Sequence, residues 1–365
     1  MKMKDINLNS WNTSKDEFRS QSRPENLYFQ KAYDFIERWL SGEQEFRLQT
    51  SGSTGVPKVI SVQKNQLSSS AAMTGKALNL GQGTRALVCL NVDYVAGVMM
   101  LVRGMELDWE LTIVEPTSNP LKSVDAEAIF DFAALVPMQL AASLEDQFTN
   151  NKVDRYGKIL LGGAPINISL SKQIEQLHIP VYQSYGMTET VSHVALRKLN
   201  GEDATDSYRF LPGVEAGLDE RNCLFVSGPM TNGEKIQTND LVEMASPETF
   251  IWLGRVDNVI NSGGVKIVLD TVDEKIAQVF YELDYRYAFF TWYQNDEKLG
   301  QKLVLFIETD VVQRSEESLL NEIRKHVSTY ETPKHVYFAN RFVKTPTDKT
   351  DKRRTAEVLL NNFNG

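Results

Sequence analysis

Between residues 46 and 184, short apolar runs alternate with helix-length segments, and that alternation restricts the chain to few folds. The runs at 46–49, 58–62, 86–90, 111–115, 132–136, 158–161 and 181–183 read as strands. The segments at 65–78, 95–106, 138–146 and 168–176 carry apolar residues at helical spacing. A repeated strand–helix succession buries helices against a largely parallel sheet. The expected class is therefore α/β, with a large N-terminal domain of parallel-rich αβα sheets.

From about residue 191 the pattern changes. Strands dominate to about 254, punctuated by Pro212-Gly213, Ser227-Gly228-Pro229 and Asn232-Gly233, which reads as a small β subdomain. Beyond Gly254 come a strand, a helix at 271–281, strands at 287–292 and 303–308, a helix at 316–329 and a strand at 335–338. That is enough chain for a small, mobile α+β domain. A prior of about 150 residues per domain fits this division of 365 residues. The expected boundaries are 1–254 for the core, its β-rich part at about 191–254, and 255–365 for a C-terminal lid. Residues 1–30 read as a polar lead-in, followed by a helix at 32–40 that stops at Gly42. Residues 25–30 (Glu-Asn-Leu-Tyr-Phe-Gln) match the recognition sequence of a tag-removing protease. Lys31 follows where Gly or Ser would, and no His run precedes, so the stretch is read as native. The run 344–354 reads most plainly as a solvated tail.

The net charge of −9 argues against a chain built to grip nucleic acid, although a local cradle can still hold a small polyanion. Cys89 and Cys223 are too few for a disulfide framework or zinc site, and His178, His193, His326 and His335 lack metal-ligand spacing. The most apolar stretch, 86–102, is interrupted by Asn91 and Asp93 and falls short of a membrane span. The start is polar and carries no leader pattern. A cytoplasmic location without membrane insertion is expected.

The richest chemistry lies in Thr50-Ser51-Gly52-Ser53-Thr54-Gly55-Val56-Pro57-Lys58, between two candidate strands. Glycines allow close backbone approach, consecutive N–H groups form an anion nest, and hydroxyls and a lysine add donors and charge. The set suits polyphosphate, yet lacks the spacing of a Walker A loop. Further along, Ser184-Tyr185-Gly186-Met187-Thr188-Glu189-Thr190 puts an aromatic face, hydroxyls and a hard oxygen ligand at a strand end. Three more segments follow the same nucleotide theme: Leu161-Gly162-Gly163-Ala164-Pro165, Gln237-Thr238-Asn239-Asp240, and Gly254-Arg255-Val256-Asp257 leading to Gly263-Gly264-Val265-Lys266.

In this order, these segments resemble the adenylate-forming enzymes: acyl-CoA synthetases, peptide-synthetase adenylation domains and luciferases. The resemblance runs from about 46 to 354. It implies ATP and coenzyme A as co-substrates, Mg²⁺, and a carboxylic acid. Residues 50–58 would hold the β- and γ-phosphates, with Gly162, Gly163 and Ala164 against the nucleotide and acyl group. Tyr185 would stack on adenine, beside Gly186. Thr188 would bond phosphate and Glu189 would hold the metal. Asp240 and Arg255 would contact ribose, with Asn239 standing where the family has glycine. Asp257 would be the domain hinge, and Gly263 and Gly264 would flank the pantetheine channel. The family's closing lysine motif aligns with Pro346-Thr347-Asp348-Lys349-Thr350-Asp351-Lys352, placing Lys352 at the catalytic position. Asp348 and Asp351 depart from the pattern and leave Lys349 as a substitute.

The chain is short for that family, chiefly ahead of residue 50. Asn91-Val92-Asp93-Tyr94-Val95-Ala96-Gly97, the helix to Val102, and Arg103 resemble the acyl-pocket segment of 2-succinylbenzoate–CoA ligases of menaquinone biosynthesis. That acid has a second carboxylate to be held. Tyr94 would gate the pocket, Arg103 would be the counter-charge, and Ser184, Ser192 and His193 are further lining or donor candidates. Arg103 equally suits a side chain snorkelling to the surface, and His193 a satisfied core histidine. The rival expectations are a ligase for another aryl or acyl acid and a non-catalytic nucleotide-binding homologue. Oligomeric state is not legible.

Overall fold

The computed structural model describes residues 9–49, 59–345 and 350–363. The chain opens with β1 (Ser10–Thr13), the single-turn α1 (Lys15–Phe18) and α2 (Leu27–Leu40). The stretch expected as a polar lead-in is thus built into the fold. β1 pairs antiparallel with a strand of the main sheet, Ser10 opposite Val114. Asn26 caps α2 by accepting from the Tyr28 and Phe29 N–H groups, so the helix begins at its cap rather than at the first clear apolar repeat.

β2 (Glu45–Gln49) and β3 (Val59–Gln63) form an antiparallel pair of their own. The alternation assigns both to the parallel sheet, but they stay outside it because only one face is apolar. Phe46 and Leu48 are buried while Glu45, Arg47 and Gln49 are exposed, whereas parallel strands are covered on both faces.

The alternating part consists of α3 (Lys64–Leu78), β4 (Arg85–Val88), α4 (Val95–Glu106), β5 (Glu110–Val114), β6 (Phe132–Leu135), α5 (Pro137–Glu145), β7 (Ile159–Leu161), α6 (Ile168–Ile174) and β8 (Val181–Gly186). Their strands lie in the order β5-β4-β6-β7-β8, all parallel. Strand side chains divide with a period of two. Ala86, Val88, Phe132, Ala134 and Leu160 join a core beneath α2, α3 and α4. Leu87, Cys89, Ala133, Leu135, Ile159 and Leu161 join a second core beneath α5 and α6. The result is a three-layer αβα body. From β4 the chain steps outward to β5 and then back across to β6. Such a switch point leaves a crevice at the carboxyl ends of the strands.

The strands expected over 191–254 are β9 (His193–Lys198), β10 (Ser207–Phe210), β11 (Glu215–Leu218), β12 (Cys223–Ser227), β13 (Ile236–Ser246) and β14 (Thr249–Arg255). They extend the same sheet. β8 pairs antiparallel with β9, Tyr182 opposite Lys198, and the ladder continues without a break to β11.

A second sheet is built from β15 (Val259–Ser262), β16 (Val265–Val268), β17 (Phe289–Asp296), β18 (Gly300–Glu308) and β19 (Val336–Ala339), with α7 (Leu269–Glu282), α8 (Glu316–Ile323) and α9 (Lys352–Phe363). Leu303, Leu305 and Ile307 of β18 pack toward α7 and α8. Val304 and Phe306 pack toward Ala356 of α9. Within the run 344–354 expected as a solvated tail, the chain is helical from Lys352 while Arg353 and Arg354 stay exposed, and burial begins just beyond it, at Thr355 and Ala356. Ala356, Leu359 and Leu360 of α9 turn toward the sheet while Val358 is exposed, and the charge-rich stretch ahead of them obscures that face. Among the described residues, no helix is long and apolar enough to cross a membrane.

Candidate active site

A cavity of about 440 Å³ opens at the carboxyl ends of β4, β6, β7 and β8. It gathers Tyr94, Arg103, Gly162, Gly163, Ser184, Gly186, Thr188, Ser192 and His193, all singled out from sequence. Gly162 is forced by proximity: a Cβ there would lie 2.6 Å from Ser184 Oγ, whose hydroxyl donates to the Leu161 carbonyl at 2.9 Å. Gln49 also lines the cavity and bridges to Tyr94. The residues after it, with Thr50, Ser51, Gly52, Ser53, Thr54, Gly55 and Lys58, lie outside the described residues, as does Lys349.

Arg103, near the close of the apolar helix α4, lines the cavity. It does not snorkel, being only 2% exposed. Nη2 donates to Ser192 Oγ at 3.2 Å and lies 3.5 Å from His193 Nδ1. Nη1 reaches only Met100 Sδ, at 3.6 Å, and Nε has no partner. Among the described residues no carboxylate lies within ion-pair distance of it. Burial lowers its pKa to about 10, so the guanidinium stays charged at neutral pH. Burial first, and the Arg103 charge second, hold His193 well below its ordinary value, so that ring is neutral. A buried cation that lines a cavity and meets no carboxylate among the described residues is a site for an anion.

Ser192 and His193 reach Arg103 because of an unusual turn. Val191 has φ +67° and ψ −52°, and Ser192 N–H donates to the Thr190 carbonyl at 2.7 Å. This is a γ-turn of the rarer, strained hand, here with a β-branched residue at its centre. The buried Thr190 hydroxyl contacts both the Met187 and Ser192 carbonyls and accepts from Met187 N–H, clamping the turn on both sides. Strain of this kind costs about 1–3 kcal/mol and collects at functional sites.

The candidates for adenine and ribose contact, Tyr185, Asp240 and Arg255, lie beside the cavity rather than on its wall. Tyr185 packs edge-on to Phe250 and donates to Asp240 Oδ2 at 2.7 Å. Burial, then the Asp240 charge, raise its pKa well above the usual phenol range. Asp240 N–H is held by Thr238 Oγ1, and Arg255 Nη1 lies 3.9 Å from Asp240 Oδ1. Asn239 sits in mid-strand with extended backbone, so the positive φ expected of a glycine replacement is not used there. Arg255 Nη2 donates to Asp257 Oδ2 at 3.2 Å, in the short 3-10 turn joining β14 to β15. Gly263 and Gly264, with φ +60° and +87°, make the two-residue hairpin turn between β15 and β16. Ala164 is exposed.

Glu189 is exposed and, among the described residues, takes no ion-pair partner. No group of three or more His, Cys, Asp or Glu residues that could hold a metal occurs among the described residues. A single free carboxylate fits a Mg²⁺ that shares substrate phosphates and retains water, rather than a resident metal cage. Lys352 is committed elsewhere. Its Nζ donates to Asp273 Oδ2 at 2.7 Å, and Asp273 Oδ1 accepts from Thr291 N–H and Oγ1.

Three contributors were not anticipated. Tyr28, within residues 25–30, donates to the Leu90 carbonyl and accepts from Val92 N–H, fixing the loop that carries Tyr94. Gln139 Nε2 donates to the Cys89 and Thr117 carbonyls while its Oε1 accepts from Val136 N–H, joining the ends of neighbouring strands. Thr74 contacts the far side of His193. None carries a motif. Only their burial and partners identify them.

The profile of the AMP-binding enzyme family matches residues 46–224. A solved structure described as an acyl-CoA synthetase (AMP-forming)/AMP-acid ligase II-like protein, from Dyadobacter fermentans, is 62% identical over 96% of this chain and 99% of its own, with TM-score 0.69. The chain belongs to the adenylate-forming, AMP-binding enzyme family. A 2-succinylbenzoate–CoA ligase of Lactococcus lactis is 26% identical over 322 residues, covering 83% of this chain and 68% of that protein. An O-succinylbenzoate coenzyme A synthetase of Bacillus subtilis, solved with ATP and magnesium ion, is 20% identical over 85% of this chain and 69% of its own, with TM-score 0.68. At that identity the likeness is one of fold.

Proposed function

We propose that this enzyme activates a carboxylic acid bearing a second, distal carboxylate, as 2-succinylbenzoate does, to an acyl-AMP and then to a coenzyme A thioester. The observation that carries this reading is Arg103: a buried, charged guanidinium on the cavity wall, with no carboxylate beside it among the described residues. An acid without a distal anion would leave that charge uncompensated. The similarity to 2-succinylbenzoate–CoA ligases points the same way.

In this reading the reacting carboxylate lies toward Gly162, Gly163 and Thr188 and attacks the α-phosphorus of ATP, releasing pyrophosphate. Residues 50–58 hold the β- and γ-phosphates, Tyr185 flanks the adenine, and Asp240 and Arg255 hold the ribose. Mg²⁺, held by Glu189 and phosphate oxygens, would supply charge neutralisation. Catalysis then rests on positioning and electrostatics rather than on an enzyme nucleophile. A turn of the 255–365 segment about Asp257 would bring Gly263 and Gly264 toward the acyl-AMP, where the coenzyme A thiol displaces AMP. The lysine facing the α-phosphate comes from the 349–352 segment. The engagement of Lys352 by Asp273 favours Lys349 for that role.

The test is pyrophosphate release with Mg·ATP across 2-succinylbenzoate, benzoate, 4-coumarate and medium-chain fatty acids, with and without coenzyme A. Selectivity for 2-succinylbenzoate with thioester formed is expected. Selectivity for a monocarboxylate would overturn the assignment of the acid, and ATP binding without release on any acid would overturn the activity. Lys349→Ala and Lys352→Ala, assayed in parallel, identify the lysine. The catalytic one loses roughly 10²–10³ in adenylation and spares thioester formation from preformed acyl-AMP.

A further inference from the structure

The wall behind Arg103 is built from α3. Thr74 Oγ1 lies 3.0 Å from the Ser70 carbonyl and 3.2 Å from His193 Nε2. A carbonyl cannot donate, so the single hydroxyl proton of Thr74 goes to Ser70, and toward His193 the hydroxyl accepts. Nε2 therefore carries the ring proton. The other side of the ring gives the same answer independently. Nδ1 faces Nη2 of Arg103 at 3.5 Å, and a guanidinium only donates, so Nδ1 must present its lone pair. Ser192 Oγ, which accepts from the same Nη2, is 3.3 Å from Nδ1 and turns its own proton there. The opposite tautomer would set N–H against N–H at Arg103 and a bare nitrogen against a hydroxyl whose proton is already used. Thr74, His193 and Arg103 are 0%, 6% and 2% exposed, so solvent does not repair a mismatch.

We propose that Thr74 is a positioning residue for the acid-binding arginine. It fixes His193 in the Nε2–H tautomer, whose Nδ1 then holds Nη2 of Arg103 and so sets the orientation of the guanidinium that lines the cavity and would meet the distal carboxylate. This rests on the reading of Arg103 given above. Thr74 itself is not on the cavity wall and acts only through the imidazole.

The measurement pairs Thr74→Val, which keeps the shape and removes the hydroxyl, with Thr74→Ser, which keeps the hydroxyl. Thr74→Val should raise KM for 2-succinylbenzoate by roughly ten- to a hundredfold, the effect of one orphaned buried donor. KM for ATP and turnover of benzoate should stay at wild-type values, and Thr74→Ser should restore the diacid KM. Nitrogen-15 NMR of histidine-labelled wild-type protein should report Nε2 of His193 as protonated and Nδ1 as bare. An Nδ1–H tautomer, or a Thr74→Val enzyme with the diacid KM of wild type, overturns the proposal. The NMR experiment decides it even if Thr74→Val does not fold. A wild-type enzyme that ignores the distal carboxylate instead refutes the role of Arg103, and the proposal with it, whichever tautomer NMR finds.

Discussion

Two cations are drawn away from solvent in this protein, and they end in opposite ways. Lys352, at the start of α9, meets Asp273 of α7 at 2.7 Å, and Thr291 satisfies the other carboxylate oxygen. The pair joins helices that cover opposite faces of the second sheet. Arg103 is buried more deeply and, among the described residues, meets a sulfur, a hydroxyl and a neutral ring, but no anion. A closed pair has spent its charge on structure. An open one retains it for something that arrives. Burial alone does not separate the two cases. What separates them is whether a carboxylate answers the charge.

The sharpest way to break this contrast is Arg103→Met, which keeps the bulk and deletes the charge. The kcat/KM for 2-succinylbenzoate should fall by roughly 10²–10³, the effect of losing a desolvated charged contact. Benzoate should be used no worse. Thermal unfolding should show the variant at least as stable as wild type, because a buried charge is removed and no charged partner is stranded, and the Ser192 hydroxyl still donates to His193 Nδ1. Clear destabilisation with unchanged selectivity would place Arg103 among structural residues.

The counterpart is Asp273→Ala. Here a partner is stranded, along with the Thr291 donors, and denaturant unfolding should show a loss of about 1–3 kcal/mol. Adenylation by the folded variant should proceed at the wild-type rate. A faster rate would show instead that Asp273 holds back Lys352 as the adenylating lysine, and would return that role from Lys349 to Lys352.

The same contrast explains what the sequence disclosed. The alternation over 46–184 revealed most of the αβα body, because parallel strands buried on both faces leave long apolar runs. It misassigned β2 and β3, whose single apolar face resembles a strand of any sheet, and it missed β1 and the start of α2, which are defined by a pairing and a cap. The cavity wall was legible where chemistry clusters in order, as at Ser184, Thr188 and Gly162. Arg103 was legible as an interruption of an apolar helix, but not whether it snorkels, since that depends on what packs around it. Thr74, Gln139 and Tyr28 were silent because a lone hydroxyl or amide has no period or motif. The partner of Lys352, 79 positions away, could not be read from a charge-rich tail.

The smallest effect extends the comparison to protons. His193 is held well below its ordinary pKa of 6.5, by burial and then by Arg103. Below that value the unfolded chain binds a proton that the folded chain refuses. Stability contributed by this site is therefore complete above about pH 6.5 and declines as the pH falls, by up to about 1.4 kcal/mol per pH unit. Asp273 works with the opposite sign. Burial raises its pKa against the pull of Lys352, so its folded state takes up a proton more readily than the unfolded chain, and its contribution is lost as the pH rises. Urea unfolding between pH 5 and 8 of wild type and His193→Gln isolates the first of these. The variant should lack the acid-side decline. An identical acid limb in the two proteins would mean that His193 accepts a proton freely. The neutral acceptor behind Arg103 would then be lost below about pH 6.5, and there the open cation would stand beside a second one rather than beside a lone pair.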